Sequence, residues 1–329
     1  MSQGRDPRIV DYGVLIARSQ RSVPLFAPQE QVPPVTLSLV SSRRIRVLLI
    51  ADTHLGFDLP ERPRSDRRRR GEDFFSAFER ALQPAFRGEV DFVVHGGDVF
   101  FRSRVKPGLV MRAFEPLKRI ADSGVPVLVV PGNHERSAIP YPILAAHPRI
   151  HLFDRPRTIS LNIRGVDVAV AGFPCERHEV RDTFARLVER TGWRSVPSDL
   201  RLLCFHQTVE GATVGPVGYV FRTNADAIPG RAIPHGFAAV LAGHIHRHQL
   251  LTADLSGRSI GAPVFYPGST EPTSAAERGE VKGYVTLELE PDADGKGCIR
   301  AWAFHALRTE SLRRTRSPLC LSASSASLW

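Results

Sequence analysis

The chain passes directly from an apolar run to polar side chains in VLLIADTH, residues 47–54. The run at residues 47–51 is short and apolar throughout, which is typical of a buried β-strand. Asp52 and His54 stand two residues apart where the chain leaves this strand, so both side chains can turn toward one cation. The stretch therefore predicts a buried strand that ends in a pair of metal ligands.

Four more apolar runs end in the same way, at residues 92–94, 127–130, 202–205 and 238–242. The polar motifs that follow them are, in order, Gly97-Asp98, Gly132-Asn133-His134-Glu135, His206, and Gly243-His244-Ile245-His246. Open α/β folds place their chemistry at the edge where strands end, because rigid strands hold the ligands in place. We therefore expect the five motifs to meet at one edge of a sheet.

The motifs offer oxygen and nitrogen ligands and no thiolate, a set that suits manganese, iron or zinc. Asp98 has two carboxylate oxygens and can bridge two cations, and Asn133 adds an amide oxygen. Two cations roughly 3.5–4 Å apart lower the pKa of a water from about 15.7 toward about 7 and clamp an in-line displacement at phosphorus. Hydrolysis of a phosphate ester is the natural reaction, which leaves His134 as a general acid toward the departing oxygen.

The order of these motifs resembles the calcineurin-like metallophosphoesterase superfamily, from about Arg44 to about Leu307. The resemblance implies an α/β (α+β) fold, a four-layer sandwich of two mixed β-sheets flanked by helices. It also implies two divalent metal ions and a catalytic His134. One metal would be held by Asp52, His54, Asp98 and His246, and the other by Asp98, Asn133, His206 and His244.

Finer features resemble one branch of that superfamily, the SbcD-type nucleases of DNA double-strand-break repair. They are DTHLG at 52–56, EDFFSAF at 72–78, FHQ at 205–207, GHIHRHQ at 243–249, and YPGSTE at 266–271 with Glu277 and Lys282-Gly283-Tyr284 behind it. The block at 266–271 favours the nuclease branch over the generic phosphatases. This resemblance implies DNA as the substrate and an SMC-like ATPase as a partner.

The chain departs from that branch at two places. Phe101 stands three residues after Asp98, where relatives usually carry a histidine or aspartate that orients the catalytic histidine or contacts the scissile strand. Relatives also continue into a DNA-capping domain and a segment that grips the ATPase, whereas about twenty residues follow Leu307 here.

Three functions therefore compete. The first is a manganese-dependent DNA exonuclease or endonuclease, supported by the motifs and the nuclease-like block. The second is a phosphoesterase that acts on a small phosphodiester or a phosphomonoester, which Phe101 would tolerate. The third is a DNA-binding scaffold with a vestigial metal site. The sequence leaves open the strand polarity, the metal in the cell and the oligomeric state.

The charge balance favours a polyanionic partner, because 44 basic residues stand against 34 acidic ones, a net charge of +10. Arginines crowd the loop after the first motif, and their guanidinium groups match phosphate oxygens well. A solvated loop explains such a run equally well. The candidate substrate-binding residues are Arg67, Arg68, Arg69 and Arg70 in this loop, and His248 two residues after His246.

The motifs spread over residues 44–307, which we predict to be one catalytic domain. Residues 1–43 form an N-terminal extension of unknown role, and residues 308–329 form a basic, serine-rich tail that we predict to be disordered. Periodicity predicts helices at 73–83, 109–122 and 180–189, and a closing hairpin from 281–289 and 298–304. No apolar run approaches the roughly 18 residues of a membrane span, so we expect no membrane association and a cytoplasmic protein.

Overall fold

The computed structural model describes residues 43–59, 69–135 and 147–309. Within these ranges the chain forms sixteen strands and four α-helices. The α-helices are α1 (Gly71–Ala81), α2 (Gln83–Phe86), α3 (Pro107–Asp122) and α4 (Val180–Arg190). The strands are β1 (Ile45–Ile50), β2 (Phe92–His95), β3 (Val127–Val129), β4 (Ile150–Leu152), β5 (Arg157–Ile163), β6 (Val166–Gly172), β7 (Leu200–His206), β8 (Thr208–Val209), β9 (Thr213–Val214), β10 (Tyr219–Val220), β11 (Ala227–Ile228), β12 (Ala239–Gly243), β13 (Gln249–Ala253), β14 (Ser259–Tyr266), β15 (Gly283–Glu290) and β16 (Cys298–Ala306).

Two six-stranded mixed sheets form the centre of the fold. The first has the order β16-β15-β1-β2-β3-β4, with β1 to β4 parallel and the β15–β16 hairpin antiparallel to them. The second has the order β13-β14-β12-β7-β6-β5, with four parallel strands in the middle and an antiparallel strand at each edge. The predicted closing hairpin is confirmed.

Strand β1 shows how the layers are stacked, because successive side chains of a strand point to opposite faces. Val47 and Leu49 belong to the core between the two sheets, whereas Leu48 and Ile50 belong to a core covered by α1 and α3. A third core packs α4 against the other face of the second sheet. The order helix, sheet, sheet, helix confirms the predicted four-layer sandwich.

The three predicted helices form within a few residues of their expected ends. In α1, Phe74, Phe75 and Phe78 are buried on one face, as the periodicity predicts. Helix α3 begins with Pro107 in its first turn. Proline has no backbone N–H, and at this position a helix makes no hydrogen bond with that group. No helix of the described residues is long and apolar enough to cross a membrane. The predicted N-terminal extension and C-terminal tail lie almost wholly outside the described residues, so these boundaries stay predictions.

The parallel strands position the candidate site. In the first sheet Ile50 pairs with His95, and His95 with Val129, so the ends of β1, β2 and β3 lie level with one another. In the second sheet Gly243 pairs with His206 at the ends of β12 and β7. All five polar motifs follow the carboxyl ends of these strands.

Candidate metal centre

The structure brings the predicted ligands together at this edge of the two sheets. The ligand atoms within each of three groups lie within 4.8 Å of one another. The groups are Asp52, His54 and His246; Asp52, Asp98 and His206; and His54, Asp98 and His134. These residues come from all five motifs, which are up to 194 residues apart in the sequence.

The first candidate metal position is lined by Asp52, His54 and His246. The Nε2 atoms of His54 and His246 lie 2.9 Å apart, and Nε2 of His246 lies 3.8 Å from Oδ1 of Asp52. Oδ2 of Asp98 completes the group at 3.9 Å from Nε2 of His54. Two carboxylates and two imidazoles therefore face one small volume.

The second candidate position lies on the other side of Asp98. Oδ2 of Asp98 is 3.4 Å from Nε2 of His206. The Oδ1 atom of Asn133 lies 3.1 Å from the same His206 nitrogen and 2.9 Å from Nδ1 of His244. Asp98 is therefore shared between the two positions, as expected of a bridging carboxylate.

Four of these residues have a left-handed backbone. The φ angles are 51° at Asp52, 44° at His54, 52° at Asp98 and 86° at His244. Non-glycine residues rarely adopt positive φ, and such residues cluster at functional sites, where surrounding bonds hold them. Here Asp52 N–H donates to the Gly97 carbonyl at 2.9 Å and His54 N–H to the Asp98 carbonyl at 3.0 Å. These bonds fasten the loops after β1 and β2 to each other.

Two glycines allow the loops to approach closely. A Cβ at Gly132 would lie 2.2 Å from Oδ1 of Asp98, and a Cβ at Gly97 would lie 2.3 Å from Nδ1 of His206. Gly97 also has a φ of 108°. Both distances are far shorter than any real carbon contact, so each motif requires its glycine for steric reasons.

Glu135 fastens the loops together, a role that the sequence did not reveal. Its carboxylate accepts the N–H groups of Asp98 at 2.9 Å, Phe100 at 2.9 Å and Gly132 at 2.7 Å. Burial and the nearby Asp98 raise the pKa of Glu135 to about 8. Its position at the end of the Gly-Asn-His-Glu motif was the signal available in the sequence.

Buried partners orient two of the histidines. Nδ1–H of His206 donates to the Gly96 carbonyl at 2.8 Å, which leaves Nε2 as the nitrogen that faces Asp98. Nδ1 of His246 lies 3.3 Å from Oε2 of Glu277. A partner of this kind fixes the tautomer of a metal-binding histidine and raises its basicity.

Glu277 belongs to a buried polar network. It accepts hydrogen bonds from Thr273 Oγ1 and Lys282 Nζ, each at 2.7 Å. The Lys282 side chain is fully buried, and its ammonium also donates to the His246 carbonyl at 2.9 Å and to Glu280 at 3.0 Å. The sequence singled out Glu277 and Lys282 only by resemblance, without a role.

The pKa values of the cluster reflect its burial. Burial raises the pKa of Asp52 to about 6 and lowers the pKa of His54 and of His244 to about 3. Burial opposes charge on His206 too, but the carboxylates of Asp98 and Asp52 raise its pKa to about 9. Burial likewise opposes charge on Asp98, yet His206 holds its pKa well below the ordinary value. His54 and His244 are therefore neutral, with lone pairs ready for a cation, whereas His206 carries a proton that a metal ion would have to displace.

His134 lies at the mouth of the site beside Phe101. Its Nδ1–H donates to the Phe101 carbonyl at 2.6 Å, and its Nε2 lies 3.8 Å from Oδ2 of Asp98. Its side chain is 30 % exposed, while that of Asp98 is 3 % exposed. The main chain of Phe101 therefore orients His134, although position 101 carries no polar side chain.

The predicted substrate-binding arginines have different surroundings. Arg67 and Arg68 lie outside the described residues. Arg69 pairs with Asp58 at 2.8 Å and stays partly exposed. Arg70 is buried and donates to Glu271 at 2.6 Å and to the Pro272 carbonyl at 2.9 Å. These contacts favour a structural role for Arg70.

His248 also has structural contacts. Its ring stacks on Phe304 of β16, with centroids 4.0 Å apart and planes 9° apart, and its Nδ1–H donates to the Tyr266 carbonyl at 2.9 Å. The structure does not place it in the metal groups of the described residues. Its predicted role toward substrate stays a prediction.

The donor set fits divalent metal ions. Carboxylate, amide and imidazole groups converge from both sheets, no cysteine is among the clustered ligands, and Nδ1 of His54 is buried with no hydrogen-bond partner among the described residues. Such a set suits manganese, iron or zinc. Without cations, the buried carboxylates of Asp52 and Asp98 depend for their charge balance on His206 and His246, whose pKa values are raised.

Comparison with known proteins agrees with a site for divalent metal ions. The model of the calcineurin-like phosphoesterase family matches residues 45–248, more than half of the chain. The DNA double-strand break repair protein Mre11 of Haloferax volcanii is 32% identical over 258 residues, which are 75% of this chain and 50% of that protein. Mre11 of Archaeoglobus fulgidus is 26% identical over 268 residues, 76% of this chain and 55% of that protein.

The chain spans about half the length of these curated relatives. Among solved structures, a dimetal phosphatase from Danio rerio matches with a TM-score of 0.44 and 14% identity, over 79% of this chain and 99% of that one. The match of the family model, together with a cluster of metal-ligand groups at the ends of the matched strands, identifies the relationship. The chain belongs to the calcineurin-like phosphoesterase family.

Proposed function

We propose that this chain is a two-metal phosphodiester hydrolase that acts on DNA, as an exonuclease or endonuclease of DNA repair. The observation that carries the hydrolase proposal is the arrangement of six ligand side chains on the two sides of Asp98. DNA is proposed because the curated relatives are named as DNA double-strand break repair proteins. The basic charge of the chain agrees with a polyanionic substrate.

The proposed ligands are those named from the sequence. Asp52, His54, Asp98 and His246 would hold one ion, and Asp98, Asn133, His206 and His244 the other. When bound, two such ions polarise the phosphate and lower the pKa of a water that attacks it. Manganese is our proposal for the metal, since imidazole and carboxylate ligands without thiolate suit it.

His134 is the proposed general acid. Because its Nδ1–H is held by the Phe101 carbonyl at 2.6 Å, its Nε2 is the atom that faces the site. A proton on Nε2 can pass to the departing oxygen of the ester, or the N–H can stabilise negative charge on the phosphate oxygens. The partial exposure of His134 lets the proton be replaced from solvent.

Two other functions remain as alternatives. Phe101 gives the mouth of the site an apolar wall, which a small phosphodiester or phosphomonoester would tolerate. A DNA-binding scaffold with a vestigial site is the third, and the close grouping of carboxylate, imidazole and amide side chains at the strand ends argues against it. An SMC-like ATPase partner and a cytoplasmic location stay predictions.

The test is release of nucleotides from end-labelled linear DNA by the purified chain in manganese, beside Asp98→Ala. We expect degradation by the parent chain and none above background by the variant, because Asp98 serves both metal positions. Cleavage of a small model diester with DNA left intact would favour the second function. Tight DNA binding with no hydrolysis in any divalent metal would favour the scaffold.

A further inference from the structure

A cavity of about 710 Å³ lies beside the candidate metal centre, and the proposed hydrolysis makes no use of it. Leu55 and Gly56, which directly follow His54, form part of its wall. Phe101 forms another part, and its ring centroid lies 6.1 Å from that of His54 and 6.0 Å from that of His134. The Phe101 ring therefore separates the cavity from the metal centre.

The rim of the cavity is strongly basic. Five basic side chains and one acidic side chain, Asp58, line it. Two of the five are neutralised, because Arg69 pairs with Asp58 at 2.8 Å and Arg112 pairs with Glu72 at 2.9 Å. Arg102 and Arg104 are exposed, and no carboxylate of the described residues pairs with either. Their charge is available to an anion.

The inner wall of the cavity is apolar. It contains Leu59, Val105 and Leu109 besides the Phe101 ring, and the Arg102 guanidinium lies 5.8 Å from the centroid of that ring. Phe57 supports the Phe101 ring edge-on, at 4.6 Å between centroids. An aromatic face beside arginines is the combination that binds single-stranded nucleic acid, in which bases stack and phosphates pair with cations.

We propose that this cavity is a subsite for one unpaired nucleotide of the DNA strand, next to the scissile phosphate. Its base packs on Phe101, and its phosphate pairs with Arg102 and Arg104. The inference rests on the proposed function, because it places a strand of the proposed DNA substrate across the metal centre. It also gives Phe101 a role in specificity, because a base can reach its ring only from an unpaired strand.

The test measures binding of a labelled single-stranded oligonucleotide to the metal-free full chain by fluorescence anisotropy, beside an abasic oligonucleotide of equal length. We expect Phe101→Leu to weaken binding of the first about tenfold and of the abasic strand much less, since base stacking is lost. Phe101→Tyr should restore the affinity. Arg102→Ala with Arg104→Ala should weaken both strands and reduce the salt slope by about 0.7, because one phosphate contact is lost.

Arg194→Ala is the charge control, because this exposed arginine pairs with Glu189 near the end of α4, far along the chain from the cavity. It should bind both oligonucleotides as the parent does. If Phe101→Leu binds both strands like the parent chain while the parent degrades DNA, the subsite is wrong and the proposed function stands. If the parent binds no DNA and cleaves only a small diester, both proposals fail.

Discussion

The carboxylates at the two ends of strands β1 and β2 have different partners. At the amino end, Asp91 accepts the Arg46 N–H at 2.7 Å, and its carboxylate pairs with the guanidinium groups of Arg46 and Arg164, which are half exposed. At the carboxyl end, Asp52 and Asp98 are buried among histidines. At the amino end, side chains of the protein itself neutralise the carboxylate. At the carboxyl end, the clustered ligands require a cation.

The backbone shows the same difference. Four ligand residues at the carboxyl end have positive φ, and the loops there approach so closely that Gly132 and Gly97 leave no space for a Cβ. Such strain and buried charge cost stability and persist where surrounding bonds enforce them. The difference teaches that this fold uses one end of its sheets for stability and the other for chemistry.

After the loss of hydrolysis in Asp98→Ala, the largest expected effect at the carboxyl end concerns His134, which is oriented by the main chain and is not among the proposed ligands. We expect His134→Gln to lower the rate of phosphodiester hydrolysis by about 10²–10⁴ fold, since general acid catalysis is lost. Metal binding should persist, as measured by manganese content after dialysis. Hydrolysis at the parental rate would refute the role of His134.

Two glutamates of the buried network behind His246 allow an effect on metal binding to be distinguished from an effect on packing. Glu277 contacts His246, whereas Glu280 contacts Lys282 and Arg247 but not the histidine. We expect Glu277→Gln to weaken one manganese ion by about 10–100 fold, because the histidine loses its orienting partner. Chelator competition measures this on the purified chain.

Glu280→Gln is the matched control for that experiment, since it removes a charge from the same network. It should retain the parental manganese affinity while changing the thermal unfolding of the metal-free chain as much as Glu277→Gln does. Equal loss of metal affinity in both variants would mean that the network acts only through packing.

The next expected effect is the pH dependence of manganese binding. Because the pKa of His206 in the metal-free chain is raised to about 9, this imidazole is protonated at neutral pH and must lose its proton to bind a metal. We therefore expect manganese affinity to rise about tenfold per pH unit between pH 7 and pH 8.5. Calorimetry in two buffers of different ionisation enthalpy should count about one proton released, and no release would contradict this account.

The smallest expected effect compares two carboxylates, one at each end. We expect Asp91→Asn to lower the free energy of unfolding by about 1 kcal/mol, because charged hydrogen bonds are lost. The folded pKa of Asp52 is about 6, above its unfolded value of 3.8, so the buried charge costs stability as the pH rises through 6. Asp52→Asn should therefore stabilise the metal-free chain by about 1 kcal/mol at pH 8.

Urea unfolding of both variants at pH 8, with a chelator present, makes this comparison. If Asp52→Asn destabilised the chain as much as Asp91→Asn does, the two ends would not differ as proposed.

The sequence predicted the strands and the ligand cluster because both depend on local pattern. Each motif directly follows an apolar run, so parallel pairing brings Asp52 and Asp98 to one end of the first sheet, and the packing of the second sheet adds His206. Roles that depend on distant contacts were not predictable. Arg70 pairs with Glu271, 201 residues away, and His248 stacks on Phe304 of the closing hairpin.

The orientation of His134 was hidden for another reason. Its partner is the carbonyl of Phe101, a group that every residue carries, so the identity of the side chain gave no signal. The same holds for Glu135, whose three partners are main-chain N–H groups. Side-chain patterns predict ligands better than they predict the main-chain contacts that hold them.

The central claim is that two divalent metal ions bind on opposite sides of Asp98. Anomalous diffraction at the manganese edge, from crystals of the chain soaked in manganese, tests it most directly. We predict two peaks, one between Asp52, His54 and His246 and the other between Asn133, His206 and His244, with Asp98 contacting both. A single peak, or none at these ligands, would contradict the account.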